Sequence, residues 1–416
     1  MSTIVQRAFS SAVPALRPIE VERVPYRGSE YFLLRDGMEI ATQQLLVPLH
    51  FGAVLALADG SRALSALVEE ARTLYGSPVE EAEVQDLFAT LDGIGMLESD
   101  AYRALHAEAV AAWRVQESRP LALAGLGYPA EREAMWQKFQ ELLAASETAE
   151  IPADALEWEK GVALLSPHID YPRGGEIYAS VWKAMGAAVR VADVAIILAT
   201  DHKGGNPFTF SSIDYATPYG VLPTDPPLRA ALIDAVGAEA AYASELNHRG
   251  EHSIELVANW LHHMRQGEPL PIVPILVGSL HRHIGNGSHP ADDLLLNQVV
   301  EVIRTEMKRR RVLVVASGDL AHVGPAFGGA PLDDAGKTHL QTEDARLLDA
   351  MWQGSAETFY AGIRRVRDRN NVCGVAPIYL SMRAAAGVQG KPTGYAVTPA
   401  DAEYTSVVTI AGVAFT

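Results

Sequence analysis

Residues 194–205 read VAIILATDHKGG. Six apolar residues and a threonine run into Asp201, His202, Lys203 and two glycines. So short a run of Val, Ile and Leu suits a strand covered on both faces, because a strand with one wet face alternates apolar and polar residues. Three other stretches share the pattern: VALLSPH ending at His168, IVPILVGSLH ending at His281, and VLVVASGDLAH ending at His322. Between them lie segments with helical spacing, GEIYASVWKAMGAAVR, PPLRAALIDAVGAEAAYASEL, EHSIELVANWLHHMR and DLLLNQVVEVIRTEMKRRR. Strand and helix in alternation from residue 160 onward predict an α/β fold, a mostly parallel sheet sandwiched by helices.

In open α/β sheets ligands bind outside the carboxyl ends of the strands. Four strands here reach a histidine just past that end: His168, His202, His281 and His322. Imidazoles converging from different strands are what a metal site needs. Asp170, Asp201 and Asp319 stand close to these histidines in sequence. Such carboxylates fix an imidazole tautomer by accepting its second N–H, or take part in proton transfer. Glu251-His252 opens a predicted helix. His262 and His263 follow about three turns on, roughly 15 Å away and too far to share one ion, and read as helix-surface residues. HRHIGNGSHP, with His283 and His289, reads as a polar loop. The single cysteine, Cys373, excludes an intrachain disulfide, and is either a small buried hydrophobe or a functional thiolate.

Composition narrows the function classes. Lys and Arg total 34 against 51 Asp and Glu, a formal charge of −17 that repels a phosphate backbone, so no nucleic-acid partner is expected. The one dense basic run, Lys308-Arg309-Arg310-Arg311, closes a predicted helix and reads as its solvated end. No apolar run approaches the roughly 20 residues needed to span a bilayer, and MSTIVQRAFSSAVPAL lacks a signal-peptide core of sufficient length. The expectation is a cytoplasmic protein without membrane association. GLGYPA, from Gly125, formally fits a dinucleotide fingerprint, but Pro129 and the lack of a strand with an acidic end at the right distance argue against it. The chain has no H-E-x-x-H, no G-x-S-x-G and no phosphate-binding G-x-x-x-x-G-K-[ST].

Residues 25–100 read as a separate small unit. YFLLRDG and IATQQLLV look like paired strands around a turn at Asp36-Gly37. SRALSALVEEARTLYG and VEEAEVQDLFATLDGIGML have helical spacing, and AYRALHAEAVAAWRVQE looks like a connecting helix before a break at Ser118-Arg119-Pro120. The DG turn, the segment LALADGSRALSALVEEARTLYG and the closing GML resemble the PqqD-like winged-helix modules, which bind peptides and partner enzymes. The domains expected are therefore an α+β, winged-helix-like accessory unit over 1–115 and an α/β domain over 120–416.

The larger part of the chain also resembles a known family. PHIDYPRGG is similar to the PHAGYxYSG segment of Memo-like proteins, the B component of AmmeMemoRadiSam systems. ILATDH matches ILGPSHH, GEHSIE matches EHSIE, and IVPILVGSL is near IIPVLVG. SGDLAHVG is near SSDxxHWG, NNVCGVAPI near NxxCGxxPI, and AGLGYPAEREAMWQKFQELL resembles the family's opening segment and helix. The pieces cover about residues 120–416 in the correct order. Memo-like proteins are similar in fold to LigB-like extradiol dioxygenases, which are non-haem iron enzymes. The resemblance implies metal ligands at His168, His202 and Cys373, with Asp319 and His322 lining the pocket and His252 nearby. A thiolate beside two imidazoles suits Fe(II), Cu or Zn better than Mg or Ca.

Two departures alter the charge of the pocket: Lys203 where the family usually has a second histidine, and Ile169-Asp170 where it has Ala-Gly. The function implied is a non-haem iron oxidoreductase, dioxygenase-like, with an open metal face for substrate and O₂ and with His322, Asp319 or His252 moving protons. The alternatives are a metal-holding or peptide-docking protein without turnover and, less favoured, a zinc hydrolase. A small-molecule or peptide substrate is expected, and a peptide or radical-SAM-system partner through the N-terminal unit.

Overall fold

Strands that are apolar throughout must be covered on both faces, and the computed structural model, which describes residues 12–41 and 43–416, shows what covers them. Residues 1–11, part of the stretch read as lacking a signal-peptide core, lie outside the described residues, as does Thr42 in IATQQLLV. The chain divides into one compact unit ending at Val115 and another running Gln116–Thr416.

In the first unit β1 (Glu20–Tyr26), β2 (Ser29–Arg35) and β3 (Leu45–Pro48) pair antiparallel in that order. Four helices follow: α1 (Gly52–Leu57), α2 (Leu64–Tyr75), α3 (Glu81–Gly93) and α4 (Asp100–Arg114). Leu34, Val47, Val54, Leu67, Val84 and Phe88 form part of its own core. The strands expected on either side of Asp36-Gly37, β2 and β3, do pair, and a tighter hairpin that the sequence reading did not include precedes them. The turn of that β1–β2 hairpin is Arg27-Gly28, both at positive φ (49° and 82°), the backbone that two-residue hairpins favour. The Asp36-Gly37 segment does not join two strands tightly. Asp36 is buried against Arg17 and accepts backbone N–H groups from Met38, Ile40 and Ala41, so the chain wraps around a carboxylate before β3 begins at Leu45.

The second unit opens with β4 (Ser118–Arg119) and α5 (Arg132–Ala145), followed by β5 (Val162–Ser166), α6 (Tyr171–Ala184), α7 (Gly186–Val191) and β6 (Val194–Thr200). Next come β7 (Phe208–Phe210), β8 (Asp214–Thr217), β9 (Gly220–Leu222), α8 (Pro226–Val236), α9 (Ala238–Tyr242) and α10 (His252–Met264). The unit continues with β10 (Ile272–Val277), α11 (His281–Asn286), α12 (Leu294–Met307), β11 (Val312–Ser317) and β12 (His322–Val323). It closes with α13 (Asp334–Trp352), α14 (Ala356–Arg365), α15 (Val375–Ala384), β13 (Gly390–Pro399) and β14 (Val407–Phe415).

The main sheet runs β12-β14-β5-β11-β6-β10-β7, with β13 on β14. Its centre, β5-β11-β6-β10, is parallel, while β14, β12 and β7 add antiparallel edges. Successive strand residues face opposite sides. Leu165, Ile196, Ile275 and Val314 pack with α8, α12, α14 and α15, whereas Leu164, Ile197, Leu276 and Leu313 pack with α5, α6, α7 and α10.

Several sequence expectations need correction. Ser118-Arg119 is not a break but a short strand parallel to β8, and Arg119 is fully buried against Glu255. The basic run at the end of α12 is tied down rather than merely solvated, because Arg310 bonds Asp225 and Glu306 and Arg311 bonds Asp193. His283 is buried, and HRHIGN is the helix α11 rather than a loop.

His262 and His263 are not on the helix surface; both are buried. The Nε2–H of His262 donates to the Gly267 carbonyl at 3.0 Å, and its Nδ1 lies 2.7 Å from Thr217 Oγ1. His263 Nδ1 and Nε2 lie 3.0 and 3.1 Å from Tyr219 and Gln140. Burial lowers each pKa to about 4, against roughly 6.5 in an unfolded chain. The unfolded chain then binds more protons as pH falls from about 6.5 to 4, and stability is lost across that window. Denaturant titrations near neutrality and near pH 4.5 should show a loss of roughly 2 kcal/mol per histidine, most of it absent from a His262→Gln, His263→Gln double variant. An equal acid sensitivity in that variant would contradict the assignment.

Candidate metal centre

The three central strands decide the site. β5, β11 and β6 lie side by side and parallel, so their carboxyl ends deliver His168, Asp319 and His202 to one edge of the sheet. Two helix starts complete it. Glu251 and His252 open α10 on one face of the sheet, and Cys373 precedes α15 on the other. His322, in β12, reaches the same edge through its pairing with Val408.

His168 is almost completely buried, and its tautomer follows from its neighbours. The Ser317 hydroxyl donates to the Ser253 carbonyl at 2.6 Å, so its oxygen must accept from His168 Nδ1–H at 3.3 Å. That leaves the Nε2 lone pair facing the Cys373 sulfur at 3.2 Å and the Asp319 carboxyl at 3.8 Å. His202 is fixed in the same way by Glu251, a buried carboxylate whose Oε1 is 3.0 Å from Nδ1 and whose Oε2 accepts the His202 backbone N–H. Its Nε2 is then also a bare donor. His252 stacks on His202 with ring centroids 4.7 Å apart and places its own Nδ1 3.2 Å from the same Glu251 oxygen.

One ligating atom each from His168, His202 and Cys373 lies within 4.8 Å of the other two. Ligands at 2.0–2.3 Å around a tetrahedral ion stand roughly 3.3–3.8 Å apart, so a small inward movement of the side chains suffices. The donor chemistry fits a borderline-soft divalent metal. Both imidazoles have their remote nitrogen bonded, and Sγ accepts the Asp319 backbone N–H at 3.3 Å, which favours a thiolate. Two further groups have comparable spacing, His202 with Glu251 and His252, and Asp319 with His322 and Cys373. Glu251 already accepts three N–H groups in the first of these, with the His252 ring 3.2 Å away, and the second has only one imidazole.

Burial sets the protonation states. Burial first, and then the neighbouring imidazoles, hold His168 neutral, with its pKa well below the usual histidine value. Burial also lowers His322 to about 4, and pulls down His252 despite Glu251. His202 goes the other way, because Glu251 outweighs its partial burial. Glu251 itself is buried, yet its hydrogen bond from His202 and the charge of that ring hold it at about 2. Burial pushes Asp319 up to about 7 against the backbone N–H groups of His168 and Ile169, and pushes the metal-free Cys373 thiol well above its ordinary value. A metal must therefore displace a proton from the sulfur.

His168, His202, His252, Asp319 and His322 all line a pocket of about 460 Å³, with Leu123, Leu256, Phe327 and Val408 as apolar walls. His281 does not join them. Its strand, β10, lies beyond β6, and its imidazole instead meets Asp368. The carboxylates nearest in sequence also serve elsewhere. Asp170 caps α6 and pairs with Arg173, while Asp201 holds Asn247 and the 203–204 backbone. The acid that orients a histidine is Glu251, 49 residues from His202. The sequence reading passed over it, and its one local signal was its place beside His252 at a helix start.

The family model described as Memo-like protein matches residues 119–414. A MEMO1 family protein of Thermus thermophilus is 26 % identical over 302 residues, 72 % of this chain and 83 % of that protein. Another from Methanococcus maripaludis is 23 % identical over 264 residues, 63 % and 85 % of the two chains. A memo-1 homolog of Caenorhabditis elegans is 26 % identical over 229 residues, 54 % and 61 %.

A thiol placed among these donors makes a spectroscopic prediction. Co(II) bound to the protein should show sulfur-to-metal charge-transfer absorption, and Cys373→Ser should abolish that band and weaken affinity by at least about tenfold, because a coordinating thiol is deprotonated by its metal. Wild-type protein without the band, together with unchanged Co(II) affinity in the serine variant, would exclude the thiolate.

Proposed function

The chain belongs to the Memo-like protein family, and from that premise we propose that it is a non-haem metal-dependent oxidoreductase whose iron is held by His168, His202 and Cys373. One observation carries the reading: two imidazoles at the wall of an open pocket, fixed with their Nε2 lone pairs bare, and a thiol 3.2 Å from one of them. A bound iron would supply redox and Lewis-acid chemistry at that wall.

The chain's own residues do the rest. Ser317 and Glu251 hold the two imidazoles in orientation. Asp319, with its pKa near 7, and the neutral His322 face the pocket and are placed to hold or move a substrate proton. Leu123, Leu256, Phe327 and Val408 exclude water from an apolar part of the substrate. At the rim Arg173 and Asp170 neutralise one another, so the family departure at Asp170 adds an ion pair rather than a net charge.

We read residues 12–115 as a docking module for a peptide or a partner enzyme. The support is the edge strand β1, which is exposed along nearly its whole length and, among the described residues, pairs on one side only, leaving the other to an added strand.

Protein purified without air should contain iron, and with Fe(II) it should take up oxygen on addition of an aromatic or peptide substrate. His322→Ala should keep its metal and lose activity by about 10²-fold, the scale of a lost general acid or base. Stoichiometric zinc with no oxygen uptake would sink the oxidoreductase reading, and metal loss in the alanine variant would make His322 a ligand. Deleting residues 1–115 should leave the remaining unit folded and able to load metal, since it has its own core, while peptide or partner binding disappears. Retention of that binding would remove the docking role.

A further inference from the structure

The wall that carries the three donor side chains has a second opening. A cavity of about 240 Å³ lies among the ends of β6 and β10, α11 and the start of α15. His202 lines both cavities, His168 lines the larger and Cys373 lines the smaller. The larger draws its walls from the β14-β5-β11 side of the sheet and the smaller from the β6-β10 side. The donor set is thus a partition between two cavities.

The smaller cavity contains a group with no part in the metal reading. His281 presents a side chain 62 % exposed, yet its Nε2 is held 2.6 Å from the buried Asp368 carboxylate, 87 residues away. The other Asp368 oxygen accepts the Val372 N–H at 2.9 Å. Asp368 and Asn371 have left-handed backbone, φ 48° and 49°, immediately before Cys373. A buried carboxylate thus fixes both an imidazole on the cavity wall and the loop that carries the thiol. Val277, Leu280 and Ile284 supply apolar wall. Apolar walls with a few convergent, pre-oriented polar groups are the usual make-up of a small-ligand site. The volume corresponds to about eight waters at roughly 30 Å³ each, so the ligand must be compact.

We propose that this cavity binds a second, compact ligand with a nitrogen or oxygen lone pair and an N–H or O–H, which donates a hydrogen bond to the His281 nitrogen left free by Asp368 and meets Cys373 and His202 from the side opposite the substrate pocket. The proposal deepens the metalloenzyme reading and rests on it for what the ligand would coordinate. The cavity itself is tested without metal.

Two plugs separate the routes: Ile284→Trp in the smaller cavity and Ala400→Trp in the larger. In the metal-free protein, iodoacetamide should alkylate Cys373 about tenfold more slowly in Ile284→Trp and within about twofold of wild type in Ala400→Trp, because thiol modification follows access. With Co(II) bound, azide should perturb the visible absorption of wild type and Ala400→Trp but not of Ile284→Trp. His281→Ala should weaken the affinity of hydroxylamine, which has the N–H and O–H to donate, by about fivefold, the scale of one hydrogen bond. Slowed alkylation and lost azide binding in Ala400→Trp instead would overturn the proposal, as would a wild-type spectrum indifferent to azide. If Ile284→Trp does not fold, Ser279→Trp at the exposed rim of the same cavity takes its place. Failure to bind Co(II) at all would count against the metal reading, while the alkylation rates would still decide whether Cys373 is reached through the smaller cavity.

Discussion

The carboxylate of Glu251 is the constraint on which the site depends. Burying a carboxylate in protein is costly unless hydrogen-bond donors replace its water. Here the replacements are the Ser253 backbone N–H and the backbone N–H and ring of His202, with the ring of His252 alongside at 3.2 Å. Satisfying one charge therefore brings together the end of β6 and the start of α10. The backbone of the same residue is held from behind, because Arg119 donates to the carbonyls of Glu251 and His248 and pairs with Glu255. Glu255 in turn accepts from Ala122, Leu123 and Tyr128. A two-residue strand and the loop after it thus fix the angle from which α10 offers His252.

The thiol side is built by different means. Gly374 and Gly318 touch backbone to backbone, and a Cβ on either would collide with the other segment. The Gly374 N–H donates to the Asp319 carbonyl, and the Asp319 N–H points at Cys373 Sγ. Thr200 closes the arrangement by donating to the Cys373 carbonyl. The loop before the cysteine also sets His322, whose N–H donates to the Asn370 carbonyl. One half of the candidate centre is thus held by a buried charge and the other by close approach of main chains, so side-chain identity counts for more in the first half and absence of a side chain in the second.

Protonation follows from the same burial. The site combines one firmly ionised acid, Glu251, behind the pocket's histidines, with one acid whose pKa lies near neutrality, Asp319, although both are almost fully buried. The difference lies in donors: Glu251 has a directly bonded imidazole and backbone N–H groups around it, while Asp319 has two backbone N–H groups and, after them, the charges of His202 and Arg173 to set against a desolvation that outweighs them. Two acids with separated pKa values allow one to orient and the other to exchange a proton.

Local pattern alone indicated much of this protein. Apolar runs of strand length alternating with helical periodicity imply a layered α/β unit, and the position of histidines just past VALLSPH and VAIILATDH places them at the carboxyl edge of that sheet. Those are consequences of period and length, which a sequence carries directly. Strand order is not. Whether His281 or His252 joins His168 and His202 depends on β10 lying beyond β6 and on where α10 begins, and both are set by contacts between segments far apart in the chain. The burial of His262 and His263, and the pairing of Arg119 with Glu255 across 136 residues, are of the same kind. A polar residue is read as exposed until its partner is known, and the partner of a buried charge is chosen by tertiary packing rather than by any neighbour in sequence.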